Sequence, residues 1–148
     1  MANLELTQEE ADAFIAMHKV RTTRQIWHFP NPGDTRHIPL VSVDHKHSFI
    51  LDIQRGRIYL KKATFQNRVN QVVPLVRVDV GGRPHRNPDD VEVPSPHIHL
   101  YREGFGDKWA FPLPPEIFTD PSDLGLTLEQ FMWYCNIVDP PEIQPALF

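Results

Sequence analysis

Prolines and glycines divide this chain into short segments, and that division limits the folds it can adopt. Fifteen prolines and seven glycines are spread over 148 residues and serve as turns between the segments. Most of the segments alternate apolar and polar residues, which is typical of strands with one buried face. The alternation predicts strands over 38–43, 49–53, 57–61, 72–80, 97–102 and 108–113.

Two of the connections indicate which strands are paired. Arg55-Gly56 is a tight connection that predicts a hairpin between 49–53 and 57–61. The glycine-rich turn 104–107 predicts a second hairpin, between the last two strands. Pro74 lacks a backbone donor, so it indicates a sheet edge or a bulge within its strand.

A helix is predicted near each end of the chain. Thr7 and Glu10 have the spacing of a capping box, and the apolar residues that follow recur at helical spacing. They predict a helix over about 8–19. Thr127 begins a second pattern of the same kind, which predicts a helix over about 128–137.

The order of helix, antiparallel strands and helix predicts the α+β class. We expect one domain over 1–148, with an antiparallel sheet that is either open or partly closed as a barrel. Pro140 and Pro141 end the second helix, and 139–148 is expected to be a tail. No stretch reaches the roughly 20 apolar residues that span a bilayer, and the acidic N-terminus lacks a signal peptide pattern. A cytoplasmic protein without membrane contact is therefore expected.

Charge is distributed unevenly along the chain. Residues 55–86 carry eight basic groups and one acidic group, whereas 87–148 carry two basic and eleven acidic groups. One interpretation is a surface that binds a polyanion beside an acidic surface that binds a basic partner. The other is a solvated strand face whose charges pair with the acidic region inside the fold.

The most informative chemistry lies in the histidines, of which there are eight. His97 and His99 are two residues apart on a predicted strand, so both rings and Tyr101 fall on one face. In the neighbouring strand the same alternation turns Arg77 and Asp79 outward. Imidazoles that move protons beside cations that hold an anion suit phosphodiester chemistry. The predicted catalytic residues are His97, His99, Tyr101 and His85; the predicted phosphate- or RNA-binding residues are Arg57, Lys61, Lys62, Arg68, Arg77 and Lys108.

Metal binding is the competing interpretation of the same histidine pair. His97 and His99 can hold one ion if His85, Asp79 or Asp107 supplies a third ligand. No third ligand lies at a diagnostic spacing, so the sequence predicts neither a metal nor another cofactor. The second pair, His45 and His47, falls on the same side of its strand as the apolar residues Phe49, Leu51 and Ile53. It is therefore interpreted as structural. Cys135 lies on the apolar face of the second helix and is interpreted as a packed core thiol.

The central part of the sequence resembles a family of small bacterial proteins with a domain of unknown function. The stretch Pro96-His97-Ile98-His99-Leu100-Tyr101-Arg102-Glu103-Gly104 is the most specific part of the resemblance. Further matching stretches are Gln66-Asn67-Arg68, Leu75-Val76-Arg77-Val78-Asp79, His85-Arg86-Asn87-Pro88-Asp89 and Gly106-Asp107-Lys108-Trp109. The resemblance implies a prokaryotic or phage-related origin and assigns no catalytic residue.

Three functions remain open from the sequence. The first is an RNA-acting protein, specifically a metal-independent endoribonuclease of the toxin type. The second is a non-catalytic inhibitor or antitoxin-like module that binds a protein partner through acidic residues such as Asp120, Asp123 and Glu129. The third is a histidine-ligated metal enzyme. The sequence does not set the oligomeric state.

Overall fold

A computed structural model describes residues 5–145 and shows twelve strands and two helices within that range. The elements run in the order α1 (Gln8–Ala16), β1 (Lys19–Arg21), β2 (Ile26–His28), β3 (Thr35–Ser42), β4 (Ser48–Arg55), β5 (Ala63–Val69), β6 (Val73–Val80), β7 (His85–Arg86), β8 (Glu92–Val93), β9 (His97–Leu100), β10 (Ala110–Pro112), α2 (Leu124–Tyr134), β11 (Ile137–Asp139) and β12 (Glu142–Gln144).

Eight strands form the main sheet, in the order β10-β9-β6-β5-β4-β3-β1-β11. All neighbours are antiparallel except β1 and β11, which are parallel. The sheet is open, with β10 and β11 at its edges, so the α+β class is confirmed and the partly closed barrel is not observed. β2 and β12 form a small parallel pair, and β7 and β8 form a small antiparallel pair.

The predicted strand at 57–61 is wrong. β4 pairs instead with β5, and residues 56–62 form the loop between them. Ile58 and Leu60, which alternation placed in the core, are 93% and 46% exposed. Gly56 closes this loop because its amide donates to Lys62 O at 2.8 Å, and a Cβ there would lie 2.8 Å from a backbone oxygen. The true partner strand alternates equally well, so alternation alone could not choose between them.

The two faces of the main sheet differ sharply in composition. One face carries Phe65, Val78 and Ile98 from adjacent strands, and it is covered by α2, whose Phe131 ring lies 6.1 Å from that of Phe65. Removing this apolar surface from water is the main stabilising contribution to the fold. The opposite face carries polar and charged side chains and bears the candidate site.

Both helices form near their predicted positions, but α1 ends at Ala16 rather than at about 19, and α2 runs over Leu124–Tyr134 rather than about 128–137. The capping box of Thr7 and Glu10 is present in α1. α2 begins about one turn earlier than expected, because Asp123 rather than Thr127 is its N-cap and accepts from Leu126 N at 3.1 Å. Cys135 follows α2 and is 1% exposed; burial raises the pKa of its thiol to about 12, which confirms a packed core thiol.

The part of the predicted tail over 139–148 that the structure describes contains a strand, and 146–148 lie outside the described residues. β12 pairs in parallel with β2, and Ile143, opposite Trp27, packs against the core. The two prolines end the helical region without preventing a short strand after them. Within residues 5–145, neither helix has the length and apolar character needed to cross a membrane.

Candidate functional site

The candidate site is built from two rows of polar side chains that cross the sheet on its polar face. The antiparallel register aligns one row of side chains from β3 to β9. A second, parallel row lies two residues away from the first on each strand. Neighbouring strands lie about 4.8 Å apart, so side chains in one row can contact each other directly. The first row is His37, Asp52, Gln66, Arg77 and His99; the second is Thr35, Gln54, Thr64, Asp79 and His97.

A cleft of about 510 Å³ lies over these rows. Its lining is polar except at one end, where Val72 and Pro74 lie. The remaining lining residues are Thr35, His37, Asp52, Gln54, Thr64, Gln66, Arg68, Arg77 and Asp79.

His37 and Asp52 form a close pair at one side of the cleft. His37 Nδ1 lies 2.6 Å from Asp52 Oδ1, and the side chains are 61% and 11% exposed. Arg68 binds the same carboxylate through two nitrogens, Nε at 2.8 Å from Oδ2 and Nη2 at 3.1 Å from Oδ1. Gln66 Nε2 donates to Oδ2 at 3.0 Å. Four hydrogen bonds therefore fix the carboxylate behind the exposed imidazole.

This arrangement assigns the tautomer of His37. An ionised carboxylate only accepts hydrogen bonds, so Nδ1 is the donor and Nε2 of the neutral ring is the atom that can accept a proton. Burial raises the pKa of Asp52, but the bonds from Arg68, His37 and Gln66 outweigh it, and the pKa lies below its ordinary value of 3.8. Asp52 therefore stays ionised at neutral pH and orients the ring.

The pKa of Asp52 predicts a loss of stability in acid. Because the folded pKa is lower than the unfolded pKa, the contribution is complete above about pH 4 and is lost as pH falls further. We expect the free energy of unfolding to fall more steeply between pH 5 and pH 2 for the wild type than for Asp52→Asn. Urea unfolding at several pH values measures this, and parallel pH profiles for the two proteins would contradict it.

A second cluster lies at the other side of the cleft, around Asp79. Arg77 donates through Nε to Asp79 Oδ2 at 3.2 Å and through Nη1 to Asp107 Oδ2 at 2.8 Å. His97 Nε2 and His99 Nε2 lie 3.2 and 3.1 Å from Asp79 Oδ2. Burial raises the pKa of Asp79, but bonds from the two histidines and the charge of Arg77 hold it well below its ordinary value.

Three imidazole rings pack together in this cluster. The ring centroid of His99 lies 4.6 Å from that of His85 and 5.0 Å from that of His97. His85 Nε2 donates to Lys108 O at 2.7 Å. His97 and His99 are only 3% and 1% exposed. The predicted convergence of His85, His97, His99 and Arg77 is therefore present, but the two central rings are buried rather than open to a substrate.

Tyr101 lies apart from the histidines. It is 5% exposed and belongs to the hydrophobic core, where its hydroxyl donates to Leu6 O and accepts from Leu6 N, both at 2.7 Å. Its predicted place on the polar face assumed that the strand continues to 102. β9 ends at Leu100, so the alternation no longer applies at Tyr101.

Most of the predicted basic residues lie outside the cleft. Arg57, Lys61 and Lys62 are in the loop 56–62, where Lys61 Nζ donates to Ser122 O at 3.1 Å. Lys108 is exposed on the turn before β10, and its backbone carbonyl, not its ammonium, contacts His85. Arg68 and Arg77 do line the cleft, and each is paired with carboxylates there.

His37 and Asp52 were not among the predicted site residues. A usable signal exists, because Ile38 and Leu51 are core residues of adjacent strands, which turns His37 and Asp52 to the opposite face. Their contact depends on the register of β3 against β4. The predicted strand over 38–43 began one residue after His37, whereas β3 begins at Thr35, and the period of two does not give the register that pairs His37 with Asp52.

One family model matches the chain, over residues 6–137, and its description is Family of unknown function (DUF6978). No curated protein and no solved structure matches the chain.

Proposed function

The chain belongs to the Family of unknown function (DUF6978), which assigns it no activity, and we propose from the geometry of its cleft that it is a metal-independent endoribonuclease. The proposal rests on one observation, the contact of 2.6 Å between Asp52 and an imidazole, His37, that is 61% exposed at a cleft. A buried carboxylate that orients an exposed histidine is the usual arrangement of a general base in hydrolases and related enzymes. Arg68 and Arg77 in the same cleft supply positive charge for a phosphate.

The proposed reaction starts at a ribose 2′-hydroxyl. Nε2 of His37 takes the hydroxyl proton, and the 2′-oxygen forms a bond to the adjacent phosphorus. The bond from phosphorus to the 5′-oxygen breaks, and that oxygen takes a proton from water. The products are a 2′,3′-cyclic phosphate and a 5′-hydroxyl, and His37 then returns its proton to solvent. DNA lacks the 2′-hydroxyl, so the chemistry selects RNA.

The arginines position the substrate. Arg68 and Arg77 have side chains 23% and 27% exposed, so part of each guanidinium faces the cleft. The carboxylates that pair with the two guanidinium groups hold them in place and neutralise part of their positive charge. We expect modest affinity for the phosphate backbone that weakens with added salt.

The buried histidines take no part in this mechanism. His97 and His99 cannot reach a substrate in the cleft at 3% and 1% exposure. His85 has Nε2 bonded to a backbone carbonyl, and Tyr101 is in the core. The proposed mechanism therefore gives these residues neither the base nor the acid role that was predicted for them. His37 is the base instead.

Incubation of the protein with matched RNA and DNA single strands in the presence of EDTA tests the proposed function. We expect cleavage of the RNA to fragments that end in 2′,3′-cyclic phosphate and 5′-hydroxyl, and no cleavage of the DNA. Mass spectrometry of the fragments identifies both ends. Intact RNA in EDTA, or equal cleavage of DNA, would overturn the proposal.

A second candidate function is binding to a protein partner. A groove of about 750 Å³ runs between α2 and the C-terminal strands, and Trp133, 72% exposed, and Glu129 line it together with apolar residues. Tryptophan is enriched in protein interfaces and among the residues that contribute most to binding. This groove adds a surface to the interaction module predicted from Asp120, Asp123 and Glu129; in the fold, Asp120 accepts from Ser122 and Asp123 caps α2.

A further inference from the structure

The buried cluster on the polar face brings three metal-binding atoms together. These are one carboxylate oxygen of Asp79 and the Nε2 atoms of His97 and His99, all within 4.8 Å of one another. Each nitrogen lies 3.1–3.2 Å from Asp79 Oδ2. An ion with bonds of about 2.0–2.1 Å places tetrahedral ligands roughly 3.3 Å apart. The two nitrogen-to-oxygen separations fit such an ion.

The protonation pattern points the same way. His97 Nδ1 lies 3.3 Å from Pro94 O, and His99 Nδ1 lies 2.8 Å from Asp107 O. A carbonyl only accepts, so both Nδ1 atoms carry a proton. A neutral ring then has its lone pair on Nε2, whereas a ring that donates to Asp79 through Nε2 carries a second proton. A backbone carbonyl that fixes Nδ1–H is the usual outer contact of a histidine bound to a metal through Nε2.

Two acceptor nitrogens cannot lie 3.1–3.2 Å from the same carboxylate oxygen without a positive charge between them. Arg77 supplies part of it, because its Nη2 lies 3.0 Å from His99 Nε2 and its Nε lies 3.2 Å from Asp79 Oδ2. Within residues 5–145, the hydrogen bonds of the Arg77 guanidinium go to Asp79, Asp107 and His99, and none of them reaches His97. Either an additional proton or a metal ion completes the cluster.

We propose that Asp79, His97 and His99 form a binding site for a divalent transition-metal ion of the Zn²⁺ type. Two imidazoles and one carboxylate are ligands that Zn²⁺ and its neighbours in the series bind well and that Mg²⁺ and Ca²⁺ bind poorly. The site joins β6 to β9 and lies at 0–3% exposure of its histidine side chains. A bound ion therefore stabilises the fold and is separate from the chemistry proposed for His37, which needs no metal.

Metal content and thermal stability of the full chain test this site. We expect protein dialysed against Zn²⁺ to retain about one ion per chain after removal of free metal. A hundredfold excess of Zn²⁺ over its Kd should raise the melting temperature by roughly 5–10 °C, and Mg²⁺ should not. If the wild-type protein retains less than a tenth of a Zn²⁺ ion per chain and its melting temperature does not change, the proposal is overturned. An additional proton then supplies the positive charge between Asp79 and the histidines.

Variants distinguish this site from other histidines. Asp79→Asn keeps the shape of the side chain, and His97→Gln keeps a polar group; each should weaken Zn²⁺ binding at least about tenfold. The matched control replaces His45 and His47, a pair with the same spacing but located before β4, where His47 packs against Phe14. This control should bind as the wild type does. Loss of binding in the control, with binding retained in Asp79→Asn, would overturn the assignment, and circular dichroism without metal verifies that each variant is folded.

Discussion

Replacing His37 with alanine should reduce the rate of RNA cleavage by roughly 10²–10⁴-fold, the range typical of a lost general base. The imidazole is the exposed member of the pair with Asp52, and no other histidine among residues 5–145 lines the cleft. Its side chain is 61% exposed, so little packing is lost and the free energy of unfolding should change little. Initial rates of cleavage of a fluorescent RNA in EDTA measure the effect.

Two companion variants make this result specific. His28→Ala removes another exposed histidine, on β2, and should leave the rate unchanged. Asp52→Asn keeps the shape of the carboxylate but no longer holds His37 in one tautomer, so we expect a slower enzyme that is also less stable. Full activity in His37→Ala, or an equal loss in His28→Ala, would show that the cleavage does not depend on the proposed base.

The polar face illustrates what strand alternation can predict. Arg77, Asp79, His97 and His99 were expected on one face from the positions of their apolar neighbours, and the register of β6 and β9 places them there. This inference needs only the period of two along a strand. It fails at Tyr101 because alternation does not say where a strand ends.

Burial and pairing across strands could not be predicted in the same way. His97 and His99 are buried because His85, after β6, and Asp107, in the turn before β10, pack against them, and both residues lie outside the strand that carries the two histidines. The contact of His37 with Asp52 requires the register of two strands. Such contacts depend on the tertiary structure, so single-sequence patterns give the residues of a face without giving the pairs.

Lys19 is the largest fully buried side chain among residues 5–145 and is expected to be the most costly to replace. Its Nζ donates to Ile15 O at 3.1 Å, Met17 O at 2.9 Å and Cys135 O at 2.8 Å. These carbonyls lie at the C-terminal ends of α1 and α2, where backbone oxygens lack helical partners and the helix dipole favours a cation. One ammonium therefore ties both helix ends to the start of β1.

The expected effect of Lys19→Met follows from two opposing contributions. Three buried carbonyls lose their donor, at about 2 kcal/mol each. Burial lowers the pKa of Lys19 from 10.5 to about 8, and relief of that penalty returns about 3 kcal/mol. The net loss is about 3 kcal/mol, or a melting temperature lower by roughly 10 °C. Urea and thermal unfolding measure it, with the exposed Lys46→Met as control, which should differ from wild type by less than about 0.5 kcal/mol.

The pH dependence separates this explanation from a simple packing defect. Between pH 8 and 10.5 the unfolded chain keeps the proton on Lys19 that the folded chain has released, so the wild type gains stability as pH rises. Lys19→Met lacks this gain, and the difference in unfolding free energy between the two proteins should increase across that range. If the difference in unfolding free energy between the two proteins stays constant with pH, burial of the Lys19 ammonium carries no free-energy penalty. If Lys19→Met is as stable as the wild type, the three carbonyls do not depend on the ammonium for stability.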